Sequence, residues 1–173
     1  MGWSERFWVN AIGFQAVWWG SILLGDTAAF AVLALLALHL AFHSQPIVEA
    51  RVVIASGVVG FSVDSLLTVA GVFTFPSLIL SLPPIWLLLL WFAFSATLRN
   101  SLSVLRKYRV LASVLGAVAG ASTYIAAAKL GAVELSFGYL ATFLLLLPVW
   151  AVLFPCLLVL TEKLEESYVS HHH

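Results

Sequence analysis

Residues 64–99 read DSLLTVAGVFTFPSLILSLPPIWLLLLWFAFSATLR, and no side chain between Asp64 and Arg99 carries a charge. A helix rises about 1.5 Å per residue, so crossing a hydrocarbon core of about 30 Å takes about 20 residues. The run is too long for one crossing, and Pro76, Pro83 and Pro84, which fix φ and lack an N–H, interrupt it. It folds back at the prolines, and Pro83-Pro84 opens a new helix through Trp86, Trp91 and Phe94.

The same reasoning extended outward gives six candidate helices, 7–25, 27–43, 51–73, 84–103, 109–128 and 137–161. Gly25-Asp26 reads as a tight turn, with Asp26-Thr27 capping the second helix. The expected fold is all-α, a polytopic transmembrane bundle forming one domain over residues 1–170. Residues 171–173, three histidines, read as the remnant of a purification tag. Arg6 ahead of an apolar stretch resembles a signal peptide, but Asn10 and Gln15 interrupt that stretch and no small-x-small cleavage site follows, so it is read as the first span.

Composition agrees. The 173 residues are 62% hydrophobic and 9% charged, against about 45–50% and about 25% in soluble domains. Eight basic residues balance eight acidic ones, so no global field exists to draw nucleic acid. One cysteine, Cys156, can form neither an intramolecular disulfide nor a zinc knuckle. Six spans gather Arg6, Arg51, Arg99, Arg106, Lys107, Arg109 and Lys163 on one side and leave Lys129 on the other, which puts both termini in the cytoplasm under the positive-inside rule.

Polar residues inside the spans are the candidate functional groups. Asp64 is the one intramembrane acid, on the same helix face as Thr68. It reads either as a hydrogen-bonded link holding the bundle in register or as a proton, ligand or cation site. Tyr124, Ser122, Thr123 and Lys129 reach matching depth, while Asn10 and Gln15 are positioned to bond across helices. His39 and His43 have the i,i+4 spacing of metal ligands with Glu49 as a conceivable third, but interfacial packing is the preferred reading and no metal is expected. Arg99, Arg106, Lys107 and Arg109 anchor the topology and offer a lipid-headgroup contact. Without a phosphate loop, nucleophile elbow or dinucleotide fingerprint, no cofactor is expected. Glycines at 57, 60, 116 and 120 permit close helix approach. Sixty residues apart, Gly60, Asp64 and Gly71 match Gly120, Tyr124 and Gly131, and at an offset of 64 Pro84-Ile85-Trp86 resembles Pro148-Val149-Trp150, which suggests a parallel duplication of a two-helix unit.

Three stretches together resemble the domain-of-unknown-function 2878 family of small bacterial inner-membrane proteins. They are Asp64 through Gly71, Pro83-Pro84-Ile85-Trp86 running through Trp91, Phe94 and Leu98 to Ser101-Leu102, and Gly120 through Tyr124 to Ala132; Asn10, Phe14-Gln15 and Trp18 fit as well. The sequence departs from the family pattern at Ala121, where proline is expected, and at Ala127, where glycine is. The resemblance implies six spans in the bacterial inner membrane and tilts the function toward lipid or amphiphile chemistry. The size and span number also resemble substrate-binding subunits of energy-coupling-factor vitamin transporters, which implies a membrane partner protein.

The leading expectation is a binding or transport module for a small amphiphile, with an outward-facing polar pocket lined by Asp64, Trp86, Trp91, Tyr124 and Gln15. The alternatives are a lipid-modifying membrane enzyme using Asp64 or Tyr124 for proton transfer, and a scaffold for lipid-modifying partners or a homo-oligomer.

Overall fold

The computed structural model describes residues 2–76 and 82–170, with the backbone alone for Val169. The middle of the proline loop, 77–81, and the tag residues 171–173 lie outside the described residues. The chain runs as α1 (Phe7–Leu24), a 3-10 turn (Gly25–Ala28), α2 (Ala29–Ala41), α3 (Pro46–Val69), β1 (Phe73–Thr74) and α4 (Ile85–Leu98). A second 3-10 turn (Ser103–Lys107) leads into α5 (Arg109–Leu115), a π turn (Gly116–Gly120), α6 (Ala121–Lys129), β2 (Glu134–Leu135) and α7 (Gly138–Ser170).

Four helical runs are long and apolar enough to cross a membrane: Phe7–Ala41, Pro46–Val69, Arg109–Lys129 and Gly138–Tyr168. The run Ile85–Leu98 is apolar but shorter. The exterior displays large apolar side chains such as Trp8, Phe30, Val110 and Leu140, which water would not tolerate over such an area. The protein is membrane-embedded.

Several boundaries differ from expectation for identifiable reasons. α3 starts at Pro46, whose missing N–H costs nothing in a first turn, rather than at residue 51. α7 runs nine residues past the expected end, to Ser170, because its last turns are fixed by ion pairs from Glu162 and Glu165. Asp26 does not cap α2: its Oδ1 accepts the N–H of Trp86 at 3.1 Å and so holds the start of α4.

Successive segments alternate in direction and define two ends. The Gly25, Gly71 and Gly131 turns lie at one, and the other collects His39, Glu49, Arg99, Arg109 and Glu165, together with the first turn of the chain through Ser4 Oγ, which donates to the His39 carbonyl. We call these the turn end and the polar end.

The expected duplication is present in the geometry. At the end of α3 the N–H groups of Ala70, Gly71 and Val72 donate to the carbonyls of Leu66, Thr68 and Leu67; at the end of α6 those of Leu130, Gly131 and Ala132 donate to Ala126, Ala128 and Ala127. Each partner lies sixty residues beyond its counterpart, and each turn needs its glycine, at φ 76° and 79°. The strands that follow pair antiparallel, with Thr74 opposite Glu134 and Phe73 opposite Leu135. Thr74 therefore faces its own repeat mate, as a two-fold axis between the strands requires. Ser136 adds an N–H bond to the Val72 carbonyl, and its mate Pro76 has no N–H to return.

Packing repeats as well. A Cβ on Gly60 would lie 2.1 Å from the Trp91 ring, and one on Gly120 would lie 2.2 Å from Trp150. Trp91 and Trp150 stack on each other, centroids 5.5 Å apart and planes 11° from parallel. The counterpart of Trp150 is thus Trp91, not Trp86 as the Pro-x-Trp similarity suggested. The unit α3–β1–α4 recurs as α5–α6–β2–α7, and α1 and α2 pack against α4 outside this pair.

Candidate functional site

The spacing of Phe7, Ala11, Phe14, Gln15, Trp18 and Ile22 makes one stripe along α1. A second stripe, Leu115, Gly116, Ala119, Gly120, Thr123, Tyr124 and Ala127, runs along α5, the π turn and α6. The two stripes face each other across a cavity of about 520 Å³. Its floor is built by α4, through Trp86, Leu87, Leu90, Trp91, Phe94 and Thr97, and by Trp150 and Phe154 of α7. α1 packs on α4, while the π turn and α6 pack on α7.

Depth separates two kinds of lining. Floor residues Trp86, Trp91, Trp150 and Phe154 and, on the second stripe, Tyr124 are buried, whereas Gln15 on one rim and Leu115, Ala119 and Thr123 on the other are exposed. The cavity is consequently a groove, open sideways between α1 and the α5–α6 rod. Its walls are apolar and aromatic rather than those of the polar pocket expected from the sequence. Among its polar members Thr97 and Thr123 bond to backbone carbonyls and Ser101 bonds to Asn10. Among the described residues the Gln15 amide has no hydrogen-bond partner.

Asp64 stands one layer behind the floor. It is 1% exposed, and its carboxylate accepts the Trp91 indole N–H on Oδ2 and the Tyr124 hydroxyl on Oδ1, both at 2.7 Å. The Tyr124 ring stacks on Phe73 at 4.9 Å. Asp64 and Tyr124 are repeat mates, so their contact lies on the same two-fold axis as the Thr74–Glu134 pair. The structure thus brings Asp64, Trp91 and Tyr124 into one bonded unit and sets Trp86 and Gln15 along the same groove. Lys129 does not join them; its ammonium lies over the Tyr139 ring at 5.9 Å. Ser122 bonds to the Val118 carbonyl and faces outward.

Asn10 does bond across helices, donating to the Ala96 carbonyl at 3.0 Å and accepting from Ser101 Oγ at 2.7 Å. Gln15 sits on the same helix and makes no such bond, because its face looks across the open groove rather than onto α4.

A second constellation, only glimpsed in the sequence, closes the polar end. Glu49 is fully buried. Its Oε1 receives His39 Nε2 at 2.7 Å and Asn100 Nδ2 at 3.1 Å, and its Oε2 faces Arg99 Nη1 at 3.0 Å and His43 Nε2 at 3.2 Å. Arg99 continues to Gln45 and Glu165, Glu165 also binds Arg106, and Arg109 pairs with Glu162. Outside the spans, burial pushes the Glu5 carboxyl upward, but bonds from Ser44 outweigh it and hold the group down at about 2.

His39, His43 and Glu49 bring ligand atoms within 4.8 Å of one another, the one such group among the described residues. Their hydrogen bonds show a different use. The Gln45 N–H donates to His43 Nδ1 at 2.9 Å, which leaves Nε2 as the ring nitrogen that faces Glu49. Four donors surround a carboxylate with about four lone-pair sites, and a divalent cation would sit beside the Arg99 guanidinium. The arrangement is a closed ion-pair cluster. Three of the four cations expected to meet lipid headgroups, Arg99, Arg106 and Arg109, are occupied by glutamates, and Lys107 is exposed.

Fold and site together define an all-α, membrane-embedded protein with an internal repeat and an apolar groove open to its side. A family model described as "Protein of unknown function (DUF2878)" matches residues 7–156, and the chain belongs to that family. No curated protein and no solved structure matches it.

Proposed function

We propose that this protein holds a lipid or similar amphiphile in the groove between α1 and the α5–α6 rod, as a binding or transport module of the bacterial inner membrane. In this reading the chain crosses the membrane six times, with both termini in the cytoplasm. The alternation of segments between two ends supports the six crossings, and the basic excess at the polar end supports the orientation. The short α2 and α4, at about 20 Å each by helical rise, are shielded by longer neighbours or met by local thinning of the bilayer.

The observation that carries the reading is the groove itself. An apolar cleft of about 520 Å³ that opens sideways among membrane-spanning segments gains nothing from water and is filled by whatever apolar chain the bilayer supplies. Gln15 adds one unpaired donor-acceptor group on the rim, where it can engage a ligand's ester or hydroxyl. Asp64 acts as a positioning residue: it touches no ligand but fixes Trp91 and Tyr124, which line the groove.

The test is groove filling. Ala119→Trp places an indole in the rim without touching the Asp64 unit. Native mass spectrometry of the purified protein is expected to find a retained lipid on wild type and to lose it in the variant, with thermal melting unchanged. Equal lipid retention in a folded Ala119→Trp protein overturns the reading.

A further inference from the structure

We propose that the occupant of the groove is an anionic amphiphile whose headgroup sits at the polar-end mouth between Arg6 and Lys107, an inference that rests on the groove reading above. The groove reaches that end through Phe7, Ser101, Leu102 and Leu105. Asn10, bonded to Ser101, fixes the start of α1 beside the end of α4, so Phe7 and Leu105 border the same mouth. Arg6 immediately precedes Phe7 as the N-cap residue of α1, and Lys107 ends the 3-10 turn that carries Leu105.

Charge bookkeeping singles out these two. Arg99, Arg106 and Arg109 are matched by Glu49, Glu165 and Glu162. Arg6 and Lys107 are exposed and have no carboxylate partner among the described residues. Two other cations at this end without a carboxylate partner among the described residues lie elsewhere: Arg51, on α3, which contributes nothing to the groove, rests over the Tyr168 ring, and Lys163 lies about two and a half turns of α7 beyond the last lining residue, Phe154. Toward the opposite end the groove is lined by Ile22, Phe75 and Val133, and the cation there among the described residues, Lys129, lies over the Tyr139 ring of α7 and outside the groove lining. A phosphate or carboxylate is therefore better matched at the polar-end mouth, which two cations without a carboxylate partner flank.

Length fixes the other half of the ligand. From Phe7 to Ile22 the α1 stripe spans about 22 Å by helical rise, more than half the thickness of an about 30 Å hydrocarbon core. A long acyl or prenyl chain lies straight in it, beginning at the charged mouth.

The experiment places the full-length protein in nanodiscs of equimolar phosphatidylglycerol and phosphatidylcholine, re-extracts it, and measures the ratio of the two lipids retained. Wild type is expected to favour phosphatidylglycerol, and R6Q/K107Q to lower that preference by about fivefold per cation while keeping the total lipid retained. R51Q/K163Q, which removes two cations from the same end but away from the mouth, is expected to leave the ratio unchanged. The proposal is overturned if the preference survives R6Q/K107Q, or if R51Q/K163Q abolishes it equally, which marks a general leaflet effect. It also falls if the protein carries no lipid and elutes as a dimer, with a second copy seated in the groove. Lipid retained by a folded Ala119→Trp protein refutes the groove reading itself, and is distinguishable because it does not depend on lipid charge.

Discussion

At Asp64 a single carboxylate holds two aromatic side chains that come from different halves of the chain. Removing one donor leaves a buried acceptor short of a partner, a loss of about 1–3 kcal/mol. Tyr124→Phe and Trp91→Phe are each expected to lower stability by that amount, and the double variant by less than their sum, because both act on one acid. Thermal unfolding in detergent checks this; strict additivity would separate the two bonds. What the sequence discloses here is uneven. An acid in a charge-free run announces itself by its cost in hydrocarbon, and Tyr124 followed from matched depth. Trp91 as the second donor was not legible, since an indole in an apolar helix serves equally well as an anchor or as packing. Nor did the sequence show that Asp64 stands behind the groove wall instead of on it, a difference of a fraction of a turn in helix rotation.

At the scale of elements, glycine decides how closely α3 approaches α4 and how closely the α5–α6 rod approaches α7. Gly60→Ala puts a methyl 2.1 Å from the Trp91 ring and Gly120→Ala puts one 2.2 Å from Trp150. Each is expected to cost about 1–3 kcal/mol through forced repacking. Gly13→Ala, with open space around it, serves as the control and is expected to leave the melting temperature within about a degree or to raise it slightly through helix propensity. The small-residue spacing of these helices was readable because it depends on local sequence alone. The π turn at Gly116–Gly120 was not, since its two glycines abut Phe154 and Trp150 of α7, far along the chain. Glu49 was legible only in part, as a conceivable neighbour of His39 and His43. The expected third helix begins two residues beyond it, and only tertiary packing adds Arg99 and Asn100 to its partners.

For the whole molecule, that cluster joins α2, α3 and the end of α4, and through Arg99 it reaches α7. Glu49→Gln strands buried donors and is expected to cost about 3 kcal/mol, whereas Glu165→Gln, whose side chain is 27% exposed, is expected to cost under about 1 kcal/mol. Chemical unfolding of both variants measures the difference, and equal losses would show that Glu49 is no more than a surface partner. The chain's path between two ends was legible from the proline loop and the charges; the sideways groove was not, because it lies between elements that pack on different neighbours, α1 on α4 and the α5–α6 rod on α7. The two-fold relation carries a further consequence. Two identical subunits meeting on such an axis must place the same residue on both sides of it, two carboxylates or two phenols, and two adjoining carboxylates repel. Because both halves occupy one chain, their sequences are free to differ at the axis, and an acid can face the hydroxyl that satisfies it. Tandem linkage is what makes that unlike pair attainable.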